Sequence, residues 1–397
     1  MPPLSVMIRL RPLLAFLFAL VVSVRAQETN ATPAPAAPLP LSPVIWTENP
    51  DVVHRFAVNS TETRAMLDRA LLKLTSASDL GTAWKRLGIT PEDVVGIKIT
   101  TMGGPLLSTH RPLVEAICEG LQAAGVPASH IIVWDKDGGD MRNAGYAPAA
   151  PSGDQVGIAA IFPGSGYDRN VLYKNGLIGT LIWGDSEFVR SNDDLLQSVH
   201  SAVSKKGFQD SGSSSFAPVP AGDSLATGGA IPQSSSVSAY AKLVTTTCTK
   251  IINVPVLIDN SNIGINGCLG SLALGSVDNN RRFQGPPSYG DPCISEILQN
   301  DVLRRKVVLH IMDALVAQYA GGPRFDPQFS HAIGAIYVSR DPVAIDSIAL
   351  KRLEGWRRAD RNGRIDPIDK TAAHVHGAAT ANLGTDDPSR IQLIKLP

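Results

Sequence analysis

The apolar and polar positions organise most clearly between Val94 and Asp140. Val94 to Thr100 is short, β-branched and bounded by Pro91 and Gly103-Gly104, which predicts a strand. Leu113, Ile117, Leu121 and Ala124 then recur at helical spacing, and Val114 and Cys118 widen the apolar stripe. Thr109 is a candidate cap, Pro112 sits near the first helical position, and Gly125 with Pro127 ends the helix. Ile131 to Trp134 is apolar on both faces, as a buried parallel strand requires. A helix joining two such strands makes a right-handed crossover, so both strands end on the same edge. The loop after Thr100 and the acids Asp135, Asp137 and Asp140 are therefore expected together, where open α/β sheets bind ligands.

The pattern recurs along the chain. Helices are expected over 61–74 and 79–87, and strands over 156–162 and 177–183. Residues 204–238 are rich in Ser, Gly and Pro with little periodic apolar signal, and read as a long irregular surface loop. Lys250 to Pro255 restores a strand leading to Asp259-Asn260 and a glycine-rich stretch from Gly264 to Gly275. Ile294, Ile297 and Leu298 mark a helix. Val307 to Met312 predicts a strand ending at Asp313, followed by a helix to Tyr319 that Gly321-Gly322-Pro323 stops. Ile333 to Ser339 is a further strand, and Asp341-Pro342 opens a helix from Val343 to Glu354, with Asp346 one turn in. Ile391 to Leu396 closes the series as a strand. Strands alternating with helices predict an α/β fold, with a largely parallel central sheet and helices on both faces.

Composition adds a compartment and removes some partners. The 397 residues are 44% apolar, and Lys+Arg and Asp+Glu both total 36. No basic field favours nucleic acid. Arg9 and Arg11 precede an apolar run from Leu13 to Val22, and Val24-Arg25-Ala26 suits cleavage, so 1–26 reads as a Sec-type signal peptide and the protein as exported. Residues 27–45 form an Ala/Pro-rich linker, and 46–397 the α/β domain with its 204–238 insertion. No later segment reads as a membrane span. Cys118, Cys248, Cys268 and Cys293 lack C-x-x-C spacing, so no iron–sulfur cluster is expected. Export permits a disulfide, with Cys268–Cys293 the first choice, worth about 3 kcal/mol. Four buried thiols are the equal alternative.

Several motifs carry less than their spelling suggests. Gly222-Asp223-Ser224-Leu225 matches an esterase motif but sits in the low-complexity loop. GINGCLG lacks dinucleotide-site spacing. Asp360 to Asp366 reads as a turn, and His374 and His376 point apart on a helix. The strand tips remain. Asp135, Asp313 and Asp346 are the candidate catalytic acids, and Asp135 with Asp137 the candidate ligands of a divalent metal. Lys98, Thr100, His110, Asn253, Asn260, Arg281, Arg282 and Asp341 are candidate contacts for a small anionic molecule. Lys98 stands in an apolar strand, where an unpaired charge is costly, so it needs a carboxylate or an anionic ligand. Two readings follow: an exported enzyme-like protein acting on a small anion, or a non-catalytic binding module of the cell envelope.

Taken in order, VVGIKIT, STHRPLVEAICEGLQAAGV with IIVWDKD, KIINVPVLIDNSNIGINGCLGSLALG, VLHIMDALVAQYAGGP and YVSRDPVAIDSIALKRLE resemble the domain-of-unknown-function 362 family. The resemblance implies an α/β fold and no established reaction. Some members carry ferredoxin-type cysteines, and many a Lys-x-His near Ile258–Asn260 and a Lys-Asn pair near Ser271; this chain has none of these groups.

Overall fold

The computed structural model describes residues 40–163, 165–180, 234–360 and 365–396. The expected signal peptide, most of the linker, the Gly222–Leu225 motif and the middle of the 360–366 turn lie outside them. So do residues 204–233 of the loop and the end of the strand expected over 177–183.

The sheet is built from β1 (Ser42–Glu48), β2 (Val95–Ile99), β3 (Ile131–Asp135), β4 (Gly157–Ala160), β7 (Lys250–Val254), β8 (Val256–Asn260), β9 (Val307–Gln318), β10 (Ser330–Ser339) and β11 (Ile391–Leu396). Its order is β11-β1-β10-β9-β7-β2-β3-β4, with β8 also pairing β9. The run from β9 through β7, β2 and β3 to β4 is parallel, and β8 joins β9 in the same sense. Along this path β10 runs against its neighbours β9 and β1, and off it the two-residue strand Gly264–Ile265 pairs antiparallel with β8. Between them β5 (Tyr167–Thr180) and β6 (Ser234–Ala241) form a separate antiparallel pair.

Helices cover both faces, as alternation along the strands requires. Val95, Ile97 and Ile99 of β2 pack with α1 (Ser60–Thr75), α2 (Leu80–Arg86) and α3 (Arg111–Ala123) through Met66, Leu67, Trp84, Leu113 and Ile117. The opposite face holds Trp134, Ile251, Met312 and Tyr337. Against it lie α5 (Gly267–Ser276), α6 (Cys293–Gln299), α7 (Pro342–Ala359) and α8 (Ala373–Thr380). A short helix, α4 (Gly138–Asn143), follows β3. Each Leu or Ile buried in these layers contributes about 1.5–3 kcal/mol.

The structure departs from the sequence reading at four places. β1 begins at Ser42, inside the segment expected to be linker, because Val44 and Ile45 are buried, one in each core. Ser234–Ala241 is a strand rather than the end of a loop, with Val237, Ala239, Tyr240 and Ala241 buried. The helix expected from Asp313 to Tyr319 is instead the second half of β9. There Ala314 to Gln318 is held between β8 and β10, buried on both faces, with a register shift between Ala314 and Val316. Thr109 does not cap α3: its hydroxyl donates to Val254 O at 2.7 Å and accepts from Thr100 N at 2.9 Å. Of the two readings left open for the cysteines, the structure shows the second: all four are free and buried. Burial raises both the Cys268 and the Cys293 thiol above their ordinary value.

Asp346 illustrates how the helices are fastened. Its carboxylate, from α7, accepts the N–H groups of Cys268 at 2.6 Å and Leu269 at 2.9 Å at the start of α5. These are donors that a helix leaves without intrahelical partners. Gly267 has φ +51°, and a Cβ there would lie 2.5 Å from the carboxylate, so the close approach requires glycine. Burial pushes the Asp346 carboxyl up to about 7 from the ordinary 3.8. A carboxyl raised on folding stabilises the fold below its unfolded value, and that contribution is lost as pH rises through the folded value. The stability advantage of the wild type over Asp346→Asn should therefore shrink between pH 4 and pH 7. Thermal unfolding of both proteins across that range checks it; an advantage that grows with pH would contradict the assignment.

Candidate functional site

The C-terminal ends of β2, β3, β4 and β8 open into a cleft of about 1260 Å³, with α5 forming part of the facing wall. This is the edge on which parallel strands with crossover helices leave their loops.

Its floor is a buried ion pair. Lys98 Nζ donates to Asp135 Oδ1 at 2.8 Å and to Ile99 O at 2.5 Å, and lies 5.6 Å from the Trp134 ring. Lys98 is 2% exposed. Asp135 Oδ1 also accepts from Lys136 N at 2.8 Å, while Oδ2 accepts from Thr101 N at 2.9 Å and Thr101 Oγ1 at 2.6 Å. One carboxylate thus joins the tips of β2 and β3 to the loop between β2 and α3. α5 crosses above the pair at Gly275, where a Cβ would overlap Lys98 Cε.

The polar side of the cleft rises from this floor. Thr100 Oγ1 and Ser271 Oγ are 2.7 Å apart. Asn260 Nδ2 donates to Asn266 Oδ1 at 2.8 Å, and Asn260 Oδ1 accepts from Asn262 N. Lys98, Lys136, Arg142, Arg281 and Arg324 bring five cations to the lining, against Asp135, Asp137 and Asp140. Lys136 Nζ donates to Val277 O at 3.0 Å, and Arg324 lies 3.7 Å from Asp140. The guanidinium groups of Arg142 and Arg281 make no hydrogen bond or ion pair among the described residues, and both side chains are exposed. Burial, and then the neighbouring charge of Asp137, raises the Asp140 carboxyl above its ordinary value.

Six of the residues singled out from the sequence line this cleft: Lys98, Thr100, Asp135, Asp137, Asn260 and Arg281. The other six do not. His110 and Asp313 pair with each other: Asp313 Oδ2 accepts the His110 N–H at 2.7 Å and faces its Nδ1 at 2.9 Å. Asp313 is mid-strand because β9 continues, and it tethers the start of α3. Asn253 lies inside the sheet beneath α5, donating to Cys268 O at 2.9 Å and facing His310 Nδ1 at 3.2 Å. Burial lowers His310 to about 3. Arg282 donates to Asn175 O and Ser238 Oγ and stacks 4.3 Å from Phe283, which holds the β5–β6 pair. Asp341 caps α7 through Ala344 N at 2.9 Å and also accepts from Ser42 Oγ and Thr385 N. It follows the antiparallel β10, whose end points to the other edge of the sheet. Asp346 caps α5.

The two acids expected to share a metal have separate duties. Asp137 Oδ1 accepts from Asp140 N at 2.8 Å as the cap of α4, and Asp135 is held by Lys98 and Thr101. Among the described residues no group of three or more His, Cys, Asp or Glu is placed to hold a metal ion. His374 is buried, whereas His376 is exposed beside Asp386 at 2.7 Å, so the two point apart. No helix among the described residues is long and apolar enough to cross a membrane. Arg142, Phe162, Asn266 and Ser271 line the cleft without having stood out in the sequence. Ser271 and Asn266 carried one signal, polar residues in an otherwise small and apolar glycine-rich stretch.

The floor predicts an asymmetry. Asp135→Ala leaves a buried ammonium with one carbonyl and orphans the Thr101 donors. It should destabilise the protein by about 3–5 kcal/mol, as breaking a buried pair does. Lys98→Met leaves a carboxylate that still accepts three hydrogen bonds and should cost less. Urea unfolding midpoints at neutral pH test the order, and a larger loss for Lys98→Met would contradict the described floor.

Residues 230–351 match the model of one family, Domain of unknown function (DUF362). That range runs from just before β6 into α7 and includes Asn260, Asn266, Ser271 and Arg281. Comparison with curated proteins and with solved structures returned no match. The match supports a DUF362-family domain over residues 230–351 of this chain.

Proposed function

We propose that the protein binds a small anionic molecule in the cleft at the C-terminal edge of its sheet. The observation that carries this reading is the pair of uncommitted guanidinium groups, Arg142 and Arg281, in a lining with more cations than acids. A guanidinium offers paired N–H donors that match a carboxylate or phosphate. The Thr100–Ser271 hydroxyls and the amides of Asn260, Asn262 and Asn266 add neutral groups that orient a ligand without repelling it. The ammonium of Lys98, held by Asp135, contributes fixed charge below.

Binding is favoured over catalysis by the placement of the acids. Asp313, Asp341 and Asp346 hold backbone N–H groups away from the cleft, which leaves Asp140 and the Thr100–Ser271 pair as the groups for any proton transfer. The proposal includes export: Arg9, Arg11, the apolar run to Val22 and the Val24–Ala26 cleavage pattern support it.

Two measurements test the proposal. Calorimetric titration with inorganic phosphate should show saturable binding that Arg281→Ala weakens by about tenfold, the loss of one charge-assisted contact. Unchanged affinity in Arg281→Ala and Arg142→Ala would reject the cleft as the site. When the full chain is expressed in a secreting host, the intact mass of the exported protein should correspond to a chain beginning at Gln27. A product still carrying the first 26 residues would reject the cleavage.

A further inference from the structure

We infer that the ligand is an amphipathic anion, with a flat apolar body beside its charged group. The inference rests on the anion-binding reading and adds to it the chemistry of the second wall. Facing the polar side, the cleft is bounded by Pro148 to Pro151 and by β4 with the residues that follow it, Ile161, Phe162 and Pro163. No charged side chain of that wall enters the lining.

Three observations make this wall a ligand surface rather than a chance strip. Phe162 is 68% exposed, more than any other large apolar side chain among the described residues, and it stands at the cleft. An isolated exposed apolar residue is ordinary, but a ring continuous with an apolar wall inside a concave site is placed for burial by a ligand. The wall is also preformed. Ala149 and Ile158 exchange both backbone hydrogen bonds, at 3.0 and 2.8 Å, which covers part of the outer edge of β4 and fixes the Pro148–Pro151 segment. Finally, the volume of about 1260 Å³ exceeds the roughly 300–1,000 Å³ of pockets that take drug-sized ligands, far more than a lone inorganic anion occupies. Ala159 and Ala160 put only methyl groups on the wall, with Ala160 paired to Asp135 across the strands.

The test compares phenylphosphate with inorganic phosphate by calorimetry on the intact protein. Phenylphosphate should bind about tenfold more tightly, because burying and stacking a ring adds to the shared anion contacts. Phe162→Ala should remove most of that advantage and leave inorganic phosphate unchanged, since the exposed ring supports no core. Arg281→Ala should weaken both ligands. Equal affinities for the two ligands, or a Phe162→Ala effect of the same size on both, would overturn the amphipathic ligand while phosphate binding stands. Failure of both to bind would remove the anion reading together with this one.

Discussion

The buried Lys98–Asp135 pair is the constraint around which the C-terminal edge is arranged. An ammonium and a carboxylate are removed from water there, and their mutual attraction repays that loss only with further hydrogen bonds. The chain supplies them from three directions: Ile99 O to the lysine, and Lys136 N and both Thr101 donors to the aspartate. Each partner comes from a strand tip or the first residues after one. Satisfying the pair therefore fixes the exits of β2 and β3 relative to each other, and with them the floor of the cleft. Gly275 permits α5 to close over the lysine, so the same pair also sets how near the facing wall comes.

A second regularity runs through the other acids at element ends. Asp313 holds the start of α3, Asp346 the start of α5 and Asp341 the start of α7, while Asp259 accepts from Gly322 N at 2.9 Å and pairs with Arg357 at 3.0 Å. A helix packed against a sheet buries its N-terminal donors where water is scarce, and a carboxylate answers them, from a neighbouring element at Asp313 and Asp346 and from the cap position itself at Asp341. These residue types at strand and helix ends are the same types that catalysis uses. Their placement is therefore ambiguous in sequence, and only the partners decide the role.

The legible part of the fold was the part whose signal is local. The spacing of Leu113, Ile117 and Leu121 between two β-branched runs defines β2, α3 and β3, and the need of Lys98 for a carboxylate is physics that holds in any such strand. The DUF362 resemblance was carried by ordered motifs of the same local kind. What failed depends on neighbours. Ala314 to Ala317 suits helix or strand equally, and β8 and β10 on either side make it a strand. The antiparallel sense of β10 leaves no mark in its own residues, so Asp341 reads as one more tip of a parallel sheet although it stands at the other edge. Ser234 to Ala241 looks polar, yet its pairing with β5 buries Val237 and Ala239. Half the candidate site was readable on the same terms, and Arg142 and Phe162 matter only because the fold carries them to one cleft.

The two sides of that cleft differ in origin along the chain. The range matched by the family model begins at residue 230 and supplies Asn260, Asn266, Ser271 and Arg281, which are polar. The ion-paired floor, Arg142 and the whole apolar wall around Phe162 precede it. A ligand held by both sides must satisfy a charge requirement shared across them and a shape requirement set by the earlier residues alone. On the proposed reading, recognition of the anionic group is separable from recognition of the ligand's body, which residues such as Phe162 and Ala160 would read. The matched domain brings Arg281 and the neutral polar groups to that charge requirement, while Lys98, Arg142 and the apolar wall lie outside it, so neither part of the chain defines the proposed ligand alone.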